Sequence, residues 1–235
     1  MNLEQEKKIR VINSSELEKI SYLDVFKLAE AIWLFNQSSN SPHALLTSGQ
    51  HSDGYVNCSQ VLKFPNLKNF LAQKLIEKLQ SFQPIEKGSI DYVVSSSMAA
   101  ITLGDKVASI LSAAFAYTEK VNEIQKLKRF EIPDGARVLQ VEELITTLKT
   151  TRQVTQAIQE NNPTLEFLRD KEGRIIVLSL VHRPKKLPQL YSDYRIISLI
   201  ELEIHTWSVE QCPLCQKGSQ ALKPKKNWEK FINNS

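Results

Sequence analysis

From Gly88 to about residue 204 the chain alternates short apolar runs with segments of helical period, and nothing else in it limits the fold so strongly. "IDYVVS", "AFAYTE", "RVLQVEE", "RIIVLSLVH" and "RIISLIELEI" read as strands, and "AAITLGDKVASILSAA" and "TTRQVTQAIQENN" as helices between them. Near-continuous apolar strands joined through helices predict a parallel sheet covered by helices, an α/β fold. Ligands of such sheets sit beyond the carboxyl ends of the strands. That rule points to "SSSMAA", "YTEK" and "EELITTLKTTR", each of which follows a predicted strand end.

Before Gly88 the rhythm is different. Residues 22–35 carry apolar groups at helical spacing, with Ser21 placed to cap them. Leu67, Leu71, Leu75 and Leu79 recur every fourth residue behind Pro65 and Asn66, which predicts an amphipathic helix over 65–80. Between the two lies "HALLTSGQHSDGYVNCSQVLKFP", whose short apolar pieces broken by Ser, Gly and Asp predict a small antiparallel hairpin.

Composition excludes several classes. A chain that is 42% hydrophobic and 24% charged is globular rather than disordered or fibrous. No apolar run approaches the ~20 residues of a bilayer span, and "MNLEQEKKIR" lacks the apolar stretch of a secretory signal. Three cysteines make no disulfide framework. The net charge of +4 owes much to Lys217, Lys223, Lys225, Lys226 and Lys230 in the tail. Without interleaved aromatic residues that cluster reads as a solvated end, not a nucleic-acid surface. The expectation is a soluble cytoplasmic protein with neither a membrane nor a nucleic acid as partner.

The segment "RVLQVEELITTLKTTRQV" carries the chemistry. A strand delivers two adjacent carboxylates, then a Thr-rich turn, then a helix start. In frame it reads Glu142, Glu143, Leu144, Ile145, Thr146, Thr147, Leu148, Lys149, Thr150, Thr151, Arg152, and it resembles the acidic pair, hydrophobic pair, T-T-G-G-S turn and following arginine of the type I phosphoribosyltransferases. "LLTSGQHSDGYVNC" resembles the small hood that covers orotate in the orotate phosphoribosyltransferases, and "FAYTEKVNEIQKLKRFEIPDGARVL" resembles their mobile basic loop. Three matches in the right order, spanning residue 40 to the "CPLC" region, make the resemblance specific.

The resemblance implies a Rossmann-like parallel sheet with helices on both faces. It divides the chain into N-terminal helices and hood (1–87), core (88–206) and a tail packing on the hood (207–235). It implies transfer of phosphoribosyl from phosphoribosyl pyrophosphate (PRPP) to orotate, with Mg2+ accompanying PRPP, in a homodimer whose basic loop reaches the neighbouring site. Glu142 and Glu143 would hold the ribose hydroxyls and set negative charge beside the developing cation. Thr146, Thr147, Lys149 and Thr150 would hold the 5-phosphate at the helix start. Ser97, Ala99, Lys120, Lys126, Lys128 and Arg129 would meet the pyrophosphate, with Lys120, placed directly after a strand, the catalytic base-loop cation. Arg152 would fork onto the orotate carboxylate, opposite Thr47, Ser48, Gly49 and Tyr55 of the hood.

Leu148, Lys149, Ala99 and Ala100 stand where the family has glycine, and Glu143 where it has aspartate. A non-glycine residue forced to positive φ costs ~1–3 kcal/mol. A transferase for another base, and an impaired relative acting as a nucleotide-binding regulator, therefore stay open. Cys212 and Cys215 in "CPLC" have zinc-knuckle spacing, but no second ligand pair is apparent and His205 is the nearest helper. The tetrapeptide reads as a structural turn with no metal, His51 as a hood residue near the base, and Cys58 as packing within the hood.

Overall fold

A computed structural model describes residues 1–36, 41–184 and 191–232. Helices α1 (Leu3–Val11), α2 (Ser14–Leu17) and α3 (Tyr22–Leu28) open the chain. Asn2, Asn13 and Ser21 cap them, each accepting from the backbone N–H three residues on. The helix expected over 22–35 ends at Leu28. Glu30 turns to φ 51 and the Ala31 N–H bonds back to the Phe26 carbonyl, freeing β1 (Ile32–Leu34) to run as a strand. Then come β2 (His43–Leu45), β3 (His51–Ser52) and β4 (Gly54–Val56). β2 and β3 form the expected antiparallel hairpin, and β4 pairs with β1. The extended reading fails just beyond it. Cys58, Val61 and Leu62 have helical spacing, all three are buried, and they form α4 (Cys58–Leu62). Helix α5 (Pro65–Phe82) follows, with proline in its first turn and Leu67, Leu71, Leu75 and Leu79 buried.

The core sheet holds β5 (Tyr92–Ser96), β6 (Ala114–Val121), β7 (Ile124–Lys126), β8 (Arg137–Ile145), β9 (Glu166–Phe167), β10 (Ile175–His182) and β11 (Tyr194–Glu201), with helices α6 (Ile101–Leu111) and α7 (Lys149–Asn161) between strands. The order is β11-β10-β8-β5-β6-β7, with β9 on β8. Every pair is parallel except β6 with β7. Successive strand residues feed opposite faces. Val93, Leu139 and Ile176 pack with α5 and α6, whereas Val94, Val138 and Val177 pack with Val154 and Ile158 of α7. Two buried faces at ~1.5–3 kcal/mol per large apolar side chain hold the sheet between its helices. The basic segment begins as a tight hairpin. Asn122 and Glu123 both take positive φ, and Val121 pairs with Ile124 across a two-residue turn.

The C-terminal segment returns to the hood as β12 (Thr206–Trp207), α8 (Pro213–Gln216), β13 (Ala221–Leu222) and α9 (Pro224–Ile232). β12 adds to β3 and β13 to β2, giving the order β12-β3-β2-β13. Phe231 packs edge-on against Trp33. Residues 233–235 of the expected tail lie outside the described residues. Among those described, no helix is long and apolar enough to cross a membrane.

Candidate active site

β8 was expected to end at the acidic pair and instead runs to Ile145. Leu144 and Ile145 still find partners in Val181 and His182, and the Arg183 N–H closes onto the Ile145 carbonyl at 2.8 Å. Glu142 is buried and Glu143 half-buried. Both line a cavity of about 280 Å³ at the carboxyl edge of the sheet, which Ser96, Ser97, Lys120, Gln125, Lys149 and Thr150 complete. A larger cleft of about 570 Å³ lies between Met1, Asn57, Lys63 and Trp228, and neither of the paired carboxylates lines it. Size does not follow chemistry here: the smaller cavity holds the acids.

The electrostatics of that cavity are unbalanced. Burial pushes the Glu142 carboxyl up to about 8; the hydrogen bond from Ser96 opposes this, Glu143 adds to it, and Gln140 opposes it weakly. Glu143 is also raised by burial. Ser96 Oγ donates to one Glu142 oxygen, and Gln140 Nε2 to the other at 3.3 Å. Gln140 also donates to the Thr151 carbonyl (3.1 Å) and accepts from Thr155 Oγ1 (2.9 Å), while the Tyr194 hydroxyl donates to Thr155 at 3.0 Å. This buried chain ties the start of α7 to the carboxylate. Lys120 is turned to Glu123 at 2.6 Å. A buried carboxylate without a cation partner favours its neutral form.

The turn after the acids resolves the missing glycines. Leu148 adopts φ 60, ψ 0, the left-handed conformation that glycine would supply, whereas Lys149 already belongs to α7. Left-handed backbone costs a non-glycine residue about 1–2 kcal/mol. The Leu148 side chain is 3% exposed and packs in the core with Ile145 and Val154, a burial worth ~1.5–3 kcal/mol. The two terms nearly cancel. Unlike α1 to α3, helix α7 has no side-chain cap and no acidic residue in its first turn, which leaves its free N–H groups and positive dipole end to an anion.

The remaining sequence-predicted residues divide. Lys120 lies inside β6, not beyond its end, because the two-residue turn lets the ladder continue. Thr146 is half-buried and Thr147 exposed on the turn, and neither lines the cavity; nor does Ala99, just ahead of α6. Lys126 and Lys128 are exposed, and Arg129 pairs with Glu119 at 2.5 Å. Arg152 is exposed and forks onto Asp193, with Nε at 3.2 Å and Nη2 at 3.1 Å from Oδ2. Its guanidinium also stands 5.9 Å from the centre of the Tyr194 ring. Thr47, Ser48 and Gly49 are exposed at the β2–β3 turn. Thr47 and Tyr55 line a separate cavity of about 210 Å³ with Leu45 and Lys225. Arg152 and the hood are thus not brought to one pocket. Cys58 is buried within the hood side of the core, its thiol 3.4 Å from the Glu143 carbonyl. Ser96, Gln125, Gln140 and Thr155 were missed; a glutamine inside the apolar run "RVLQV" was the available signal for one of them.

No protein-family model matches the chain. Curated relatives do. It is 30% identical over 210 residues to an orotate phosphoribosyltransferase of Caldanaerobacter subterraneus subsp. tengcongensis, covering 88% of this chain and 97% of that protein. It is 31% identical over 210 residues to the orotate phosphoribosyltransferase of Caldicellulosiruptor bescii, with the same coverage. Among solved structures, orotate phosphoribosyltransferase from Aeropyrum pernix superposes with a TM-score of 0.54 at 16% identity, over 76% of this chain and 92% of that one, which speaks for the fold. Near-complete relatives at this identity, on a sheet that carries paired acids at a strand end and an uncapped helix beyond them, place the chain in the orotate phosphoribosyltransferase family.

Proposed function

We infer that the protein transfers a phosphoribosyl group from PRPP to orotate, giving orotidine 5-phosphate and pyrophosphate in pyrimidine nucleotide synthesis. The observation that carries this reading is the pair of buried Glu142 and half-buried Glu143, without a cation partner among the described residues, three residues ahead of a turn that leads into an uncapped helix. The two carboxylates accept from the ribose 2- and 3-hydroxyls and set fixed negative charge beside the sugar as it becomes cationic. Thr146, Thr147, Lys149, Thr150 and the first N–H groups of α7 hold the 5-phosphate. Ser97, the Ala99 segment, Lys120, Lys126, Lys128 and Arg129 receive the leaving pyrophosphate.

Two carboxylates and the Ser96 hydroxyl form a hard oxygen donor set, and the upward shift of Glu142 is what a nearby dication reverses, so the residues present fit Mg2+. Bound with PRPP, Mg2+ would neutralise pyrophosphate charge. Arg152, whose fork now rests on Asp193, would exchange that carboxylate for the one on orotate. Thr47, Ser48, Gly49 and Tyr55 would close on the other edge of the base, a grip that requires the hood to approach Arg152. We further propose a cytoplasmic homodimer, with a hood of residues 1–87 over a core of 88–206 and the tail 207–235 packed on the hood.

Orotate consumption in the presence of PRPP and Mg2+ tests the reading. Wild-type turnover, reduced about 100-fold or more in Glu142→Gln, is the expected result. Turnover that is absent in the wild type, or unchanged in the variant, would overturn it.

A further inference from the structure

At the seam between hood and C-terminal segment, four side chains turn ligand atoms toward one point. His43 comes from β2, His51 from β3, and Cys212 and Cys215 from the start of α8; their ligand atoms all lie within 4.8 Å of one another. His43 Nε2 is 2.9 Å from His51 Nδ1, 3.6 Å from Cys212 Sγ and 3.5 Å from Cys215 Sγ, and Cys215 Sγ is 3.2 Å from His51 Nδ1. Zinc bonds of ~2.0–2.1 Å to nitrogen and ~2.3 Å to sulfur, set tetrahedrally, give edges of about 3.4 Å between nitrogens and about 3.6 Å between nitrogen and sulfur. These four edges fall within about 0.5 Å of that figure.

The surroundings prepare His43 as a ligand. Ser219 Oγ gives its proton to the Ser41 carbonyl at 2.7 Å, so at 2.9 Å from His43 Nδ1 it must accept. The ring proton therefore sits on Nδ1, and Nε2 presents a lone pair to the cluster. A hydrogen-bond acceptor behind the outer nitrogen is the usual support of a metal-bound imidazole. His43 and Cys212 are fully buried. His205, the helper expected from the sequence, is instead held by Asp53 at 3.0 Å, and His51 belongs to this cluster.

We propose that His43, His51, Cys212 and Cys215 form a closed tetrahedral zinc site that clamps the C-terminal segment onto the hood. Binding releases two thiol protons, so two thiolates balance the dication and the buried centre is neutral. With four protein ligands no position is left open for catalysis. The site lies apart from the acidic cavity, so its failure would leave the transferase reading untouched.

The test uses the full chain purified under reducing conditions from zinc-supplemented cells and desalted. Elemental analysis should find one zinc per chain, lost in Cys212→Ser/Cys215→Ser. Co2+ introduced into the wild type should give the intense visible bands of tetrahedral thiolate coordination, a readout that needs no variant to fold. Chelation should lower the thermal midpoint. A reduced wild type that binds no zinc, weak octahedral Co2+ bands, or a double variant that keeps its full metal content would each overturn the proposal.

Discussion

Glu142 and Asp170 are both buried carboxylates, and the protein treats them in opposite ways. The Asp170 side chain is 1% exposed and accepts from the Arg174 backbone N–H at 2.9 Å, Arg174 Nε at 2.7 Å and Arg195 Nε at 3.2 Å. Burial works to raise its carboxyl, but those bonds outweigh it and hold the group below its ordinary value. Glu142 has a hydroxyl, an amide and a second acid around it, and rises to about 8. Asp170 is a finished structural joint. Glu142 has no cation partner among the described residues, and an acid shifted so far in a cavity is a candidate for a functional site.

The comparison can be broken by mutation. Asp170→Ala strands the buried Arg174 guanidinium and should cost about 3–5 kcal/mol of stability, read by denaturant unfolding; a loss under 1 kcal/mol would mean the joint is not structural. Glu142→Gln should do the reverse, stabilising the chain by roughly a few kcal/mol at pH 8 while turnover falls. Equal destabilisation by the two variants would erase the distinction drawn here.

Titration sharpens it further. The folded pKa of Asp170 is lowered, so its contribution is present above the unfolded value and lost as acid takes pH through the folded one. Glu142 is raised, so the folded state holds its proton more tightly. Stability should then be greatest below about pH 4.5 for this group, decline as pH climbs, and level off above about 8. Unfolding free energy measured across that range should decline less in Glu142→Gln than in the wild type. By the same reasoning, PRPP binding with Mg2+ at pH 7 should expel protons. Calorimetry in buffers of differing ionisation enthalpy measures that release, and buffer-independent heats would contradict it.

The smallest effect belongs to Leu148→Gly. Relief of left-handed strain and loss of side-chain burial oppose one another, so the net change should stay within about 1 kcal/mol. A stabilisation of 2 kcal/mol or more would show that the turn is strained without compensation.

Much of this was legible in the sequence, and the rest was not for identifiable reasons. The alternating runs from Gly88 gave the sheet because a doubly covered strand must be apolar throughout. The acid pair and the Thr turn stand in one contiguous frame, so their closeness was legible, although Thr146 and Thr147 do not line the cavity that holds the acids. The zinc ligands could not be paired that way: His43 and Cys212 are 169 residues apart, and only the pairing of β2 and β3 with the tail joins them. Residues 29–34 misled because apolar spacing is ambiguous over so few residues, and the turn at Glu30 made the choice. Arg152 sat in the expected register, yet its side chain followed the nearest carboxylate, Asp193.

The hood sheet β12-β3-β2-β13 takes its middle from residues 43–52 and its edges from 206–222. On a ribosome those central strands emerge early and wait for most of the chain to follow. Until then β2 and β3 expose unpaired N–H and C=O groups on both sides, an invitation to off-pathway pairing. Such distant pairings close late and slowly. Synthesis interrupted before residue 206 would therefore release a chain whose catalytic sheet is complete and whose hood is not, a product better suited to proteolysis than to metabolism.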